Sequence, residues 1–122
     1  MKFIALAAPE TITDKNILKE EFKAAKQVGE GRMGEHHFFY RYFISVKYTS
    51  YEKIRHAFLR EESGECGEFL LKEFYLILLL EDAKEECKLR FERRENAQAV
   101  LAFLGENYPQ IEIGYKKPDK MI

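Results

Sequence analysis

The chain has no tryptophan, three prolines and two cysteines among its 122 residues. Cys66 and Cys87 form no CxxC pair, which excludes a zinc ribbon or a thioredoxin-like motif. A domain of this size needs no disulfide staple, so both are read as reduced thiols. Aspartate occurs only at Asp14, Asp82 and Asp119, too sparsely for an Asp-rich metal loop. No charge of one sign dominates: 20 Lys and Arg face 21 Asp and Glu, for a net charge of -1. That balance excludes a general binder of phosphate backbones, which concentrates positive charge. No apolar run approaches the roughly 18–20 residues that span a bilayer. The opening Met1–Pro9 carries a short apolar run behind a single lysine, which is not a secretory signal. The expectation is a cytoplasmic protein with no membrane insertion, no nucleic-acid partner and no cofactor.

What is present is enough for one core. Hydrophobic residues make up 46% and aromatics 14% of the chain, and the length suits a single domain over 1–122. Ile17, Leu18, Phe22, Ala25 and Val28 recur at helical spacing, predicting an N-terminal helix over 11–28. Thr13 or Asp14 can cap its start. Gly29-Glu30-Gly31-Arg32-Met33-Gly34 spells GxGxxG, yet it follows a helix and precedes a strand, the reverse of a dinucleotide site. It is read as a turn. His37–Tyr48 is rich in aromatic and β-branched residues and predicts a strand. Tyr51–Arg60 fits helix or strand, with strand favoured by its neighbours. Glu61–Glu68 is polar, acidic and glycine-containing, and predicts a loop. Phe69–Leu80 also fits a buried helix or a long strand, again with strand favoured. Glu81–Glu85 predicts a hairpin turn, and Cys87, Leu89 and Phe91 alternate as one face of a strand over 87–92. Ala97, Val100, Leu101 and Leu104 line a second helix over 96–107, with Asn96 as its cap and Pro109 beyond its end. A last short strand is expected over 110–115 and a frayed tail over 116–122. About five strands in a run, closed by a helix, predict an α+β fold with an antiparallel, strongly bent sheet.

The order of elements from Tyr42 to Ile113 resembles bacterial proteins with a pleckstrin-homology-like barrel. Tyr48-Thr49-Ser50 leads into an I-x-x-A strand at Ile54–Ala57, a hairpin of long strands follows, and a leucine-faced helix at Asn96–Leu104 closes the run. The resemblance implies a bent sheet or partly open barrel plugged by the C-terminal helix. It departs in the missing tryptophan, the added N-terminal helix, and the absence of a basic cluster for a phosphoinositide: Arg41, Lys47 and Lys53 are scattered and opposed by Glu52.

The chemistry legible in the chain is sparse. His36, His37 and His56 are the three imidazoles and the candidate metal or proton site, although adjacent histidines on a strand point to opposite faces. No metal is expected. The pairs Glu20-Glu21, Glu61-Glu62 and Glu85-Glu86 sit in charged stretches and are read as exposed rather than as acid/base carboxylates. Ser45, Ser50 and Ser63 lack a GxSxG elbow. Phe38, Phe39, Tyr40, Tyr42 and Phe43 surround Arg41. Aromatics mixed with cations can stack bases, but the positive charge is thin, and core packing or a protein contact is the favoured reading. The expectation is a non-enzymatic interaction domain, able to pair with a protein partner or a second copy. Phe38, Tyr40 and Tyr42 are its contact residues and Arg41 its polar anchor. The alternative is a small-molecule or lipid-headgroup binding domain, or an enzyme, with a site between the sheet and the first helix.

Overall fold

A computed structural model describes residues 2–6, 14–66, 69–81 and 83–114, giving the backbone alone for Tyr42, 64–66 and 69–71. The expected helix start at 11–13 and the expected frayed tail at 116–122 lie outside these residues.

Helix α1 covers Lys15–Ala24, shorter than the predicted 11–28. Asp14 caps it by accepting from the Asn16 N–H at 2.7 Å. The chain then leaves the helical region at Ala25. Lys26–Val28, expected as the last helical turn, forms strand β2 instead and pairs antiparallel with β3, Gly31–Met33. Ladder pairing outweighs the helical preference of Lys26 and Gln27. Gly29, at φ 61°, makes the turn between them, so the glycine-rich run is a hairpin. Gly31 has a second constraint: a Cβ there would sit 3.1 Å from the Phe38 ring.

The predicted single strand over 37–48 is two strands. β4, His37–Tyr42, and β5, Ser45–Ser50, form a hairpin that reverses at Phe43–Ile44. No Gly, Asn, Asp or Pro marks that reversal, so the usual turn signal is missing. An unpredicted strand, β1 at Lys2–Ala5, runs parallel to β5. The first sheet has the order β1-β5-β4-β3-β2.

After a 3₁₀ turn at Tyr51–Lys53, β6 runs from Ile54 to Cys66 and pairs along its length with β7, Phe69–Leu80. The acidic stretch Glu61–Cys66 is therefore strand and not loop: its partner holds it extended despite its polarity. β8 is Cys87–Phe91, helix α2 is Arg94–Asn107, and β9 is only Glu112–Ile113, parallel to β6. The second sheet has the order β8-β7-β6-β9. Arg93 occupies the N-cap position of α2 without a side-chain cap bond, so Asn96 lies inside the helix. The α+β class holds, but nine strands in two sheets replace one bent sheet, and no closed barrel forms among the described residues.

The layering explains why β4 shows no alternation. Phe39 packs with Val46 and Tyr48 against Leu18 and Phe22 of α1. Phe38 and Tyr40 face the other way, into a core shared with Leu76 and Leu78 of β7, Phe91 of β8 and Val100 and Leu104 of α2. A strand buried on both faces reads as continuous apolar sequence. On the outer face of the second sheet, Phe58 and Ile77 pair across the ladder and are buried. The Arg60 guanidinium lies 5.7 Å from the Phe58 ring and the Lys88 ammonium 4.3 Å from Tyr75, so long basic side chains help cover this face.

Candidate functional site

Glu21 lies on α1 at the flank of its Leu18–Phe22 face. Its side chain is only 9% exposed, against the expectation that all the Glu pairs are solvated. One oxygen accepts from the backbone N–H of His36 at 2.6 Å and of His37 at 2.7 Å; the other meets His37 Nδ1 at 2.8 Å. Three donors on one carboxylate satisfy its buried charge and fasten α1 to the start of β4. Gly34 makes room for it, since a Cβ there would lie 2.5 Å from Glu21 Oε2.

His37 is 12% exposed at its side chain. Its ring stands edge-on to Tyr48 at 5.7 Å. A carboxylate accepts only, so Nδ1 carries a proton and donates it to Glu21. Nε2 meets no partner among the described residues. His37 and Ser50 are directly opposed in the β4–β5 register, and both line a cavity of about 210 Å³ together with Tyr51, Glu52 and Tyr108. Tyr51 is buried, and its hydroxyl donates to the Gly34 carbonyl at 2.7 Å. Its ring stacks on Tyr108 with centroids 4.2 Å apart. Burial, then the neighbouring Tyr108 and Glu21, pushes Tyr51 well above the ordinary tyrosine range. Burial and Glu21 raise Tyr108 as well.

The three imidazoles do not converge. His36 is exposed, its Nε2 3.9 Å from Glu35. His37 is locked to Glu21. His56, on the second sheet, donates from Nε2 to the Gly114 carbonyl at 2.5 Å and lines a different cavity with Arg55 and Glu81. Among the described residues no group of three His, Cys, Asp or Glu side chains is placed to hold a metal.

The expected contact residues also separate. Phe38 and Tyr40 are core, and the Tyr40 hydroxyl donates to the Arg90 carbonyl across the two sheets. Their own chain covers them, so they cannot serve as an interaction face. The Tyr42 side chain lies outside the described structure. Arg41 is exposed, and its Nε donates to the Phe43 carbonyl at 3.3 Å. The next two residues carry the exposed apolar surface: Phe43 is 77% and Ile44 80% exposed. They form the hairpin tip, and Phe43 has φ 55°. Cys87 is a free, half-buried thiol; burial raises it above the ordinary thiol range, Lys47 opposing, so it is a poor nucleophile.

Residues 2–122 match the family described as a domain of unknown function, DUF6709. The chain belongs to that family. No curated protein and no solved structure matches it. No helix among the described residues is long and apolar enough to cross a membrane.

Proposed function

We propose that the chain is a protein-interaction domain whose contact is the β4–β5 hairpin tip. The observation that carries this reading is Phe43 and Ile44 exposed together at a tight turn, with Phe43 in the left-handed region. That conformation costs a non-glycine residue about 1–2 kcal/mol, and favoured two-residue turns use glycine or asparagine there. A turn that keeps strain and exposes two large apolar side chains is a candidate for function. Arg41 supports the reading as a polar anchor beside the tip. β1, β4 and β5 carry Lys2, Arg41 and Lys47 and no acidic residue. The complementary partner is a protein with a small apolar pocket rimmed by carboxylates. The order from β5 through the β6–β7 hairpin to α2 supports a pleckstrin-homology-like scaffold as part of the same proposal.

A photo-crosslinking phenylalanine analogue at position 43 tests this in living cells. The expected result is one recurrent protein adduct that disappears with Arg41→Glu. An adduct with a second copy makes the partner the chain itself. Lipid adducts, or a diffuse ladder indifferent to Arg41→Glu, overturn the proposal.

A further inference from the structure

A second site lies away from the hairpin tip, in the cavity where the start of β4, the 3₁₀ turn and the end of α2 meet. We propose that this cavity binds a small organic cation, an ammonium or guanidinium compound. The argument rests on which groups face it. Its lining holds the carboxylates Glu35 and Glu52 and no lysine or arginine, with His36 Nε2 3.9 Å from Glu35, so its carboxylates disfavour anions. His37 lines it as well: Nδ1 is committed to Glu21 at 2.8 Å, leaving Nε2 as the nitrogen available to a ligand. The two carboxylates accept from a cationic N–H donor. Tyr108, stacked on Tyr51 at 4.2 Å and flanked by Phe103 at 6.2 Å, adds aromatic rings, which attract a cation through their negative faces.

The site is built before any ligand arrives. Glu21 holds the His37 ring through its nitrogen and two backbone N–H groups, and the Tyr51 hydroxyl is tied to the Gly34 carbonyl at 2.7 Å. Ordering these groups therefore costs a ligand little. A cavity of about 210 Å³ holds a compact molecule with the volume of about seven waters.

The test uses the full chain, labelled with nitrogen-15, and follows amide shifts on adding choline, methylguanidinium, the neutral choline isostere 3,3-dimethylbutan-1-ol, acetate and inorganic phosphate. The expected result is saturable shifts at His37, Tyr51 and Tyr108 with choline or methylguanidinium, and binding weakened at least about tenfold for the neutral isostere. Glu35 and Glu52 are exposed, so the double variant E35Q/E52Q keeps its amide spectrum and loses cation affinity by a similar factor. No saturation by either cation up to about 10 mM overturns the proposal. So do equal binding of the neutral isostere, preference for acetate or phosphate, or affinity unchanged in E35Q/E52Q. None of these results bears on crosslinking at position 43.

Discussion

Glu21 shows how much one side chain can carry in this domain. Replacing it with alanine leaves the His37 N–H and Nδ1 without an acceptor in a part-buried setting, and the His36 N–H without one at the surface. Each stranded group costs about 1–3 kcal/mol, eased where water can enter, so Glu21→Ala is expected to destabilise the chain by about 2–4 kcal/mol in urea unfolding. A loss below about 0.5 kcal/mol, the scale of an ordinary surface substitution, would show that α1 is not fastened there. Tyr51 makes a pH-dependent contribution. Its folded-state ionisation is raised mainly by burial, so folding favours the protonated hydroxyl. That contribution is complete below the ordinary tyrosine range near pH 10 and is lost as pH rises beyond it. Stability is expected to fall above pH 10, less steeply in Tyr51→Phe, with the Tyr51 phenolate absorbance appearing only as the chain unfolds. Ionisation of every tyrosine near pH 10 with the fold intact would contradict this.

At the scale of elements, the β4–β5 hairpin sets local preference against structure. Its strands are paired over six residues each and face two cores, and this pairing forces the reversal onto Phe43 and Ile44. Phe43→Gly removes the left-handed penalty and adds entropy to the unfolded chain. The net expectation is a gain of about 0.5–1 kcal/mol in denaturant unfolding, accompanied by loss of the crosslink-defined contact when the crosslinker is moved to position 44. A destabilised Phe43→Gly would mean that the Phe43 side chain supports the fold. The β6–β7 hairpin is the opposite case. Its acidic half takes no help from propensity, and ladder bonds plus the pairs Lys88–Glu62 at 2.8 Å and Arg94–Glu61 at 3.6 Å hold it. Such exposed pairs add little each, so the length of the ladder is the main restraint.

The whole molecule is organised around the first sheet, which has α1 on one face and the second sheet with α2 on the other. Because both cores share its strands, they are expected to melt together. Leu18→Ala and Leu104→Ala remove buried side chains from opposite faces, and each should cost about 2–5 kcal/mol. Each should shift one common transition when far-ultraviolet circular dichroism and tyrosine fluorescence are compared. Separate transitions would show that the α1 layer folds independently.

Spacing within the sequence was enough to place α2 and β8, because 3.6- and 2-residue periodicity records which face of an element is buried; the continuous apolar run of β7 fitted helix or strand, and only its neighbours favoured strand. The same local code located α1 and offered Thr13 or Asp14 as its cap, of which Asp14 is the one that serves. It excluded a phosphate loop at the GxGxxG run, since the order of elements around it was wrong. Tertiary structure decided the rest. β4 hid its turn because both of its faces are covered, which erases alternation. β1, β2 and the acidic half of β6 are strands because a neighbour supplies their hydrogen bonds, and no spacing within a segment reports a partner distant in sequence. The join of Glu21 to His37, 16 positions apart, has the same origin: helical geometry placed Glu21 beside the buried face, but only the packing of α1 on the sheet put an imidazole and two backbone donors against it.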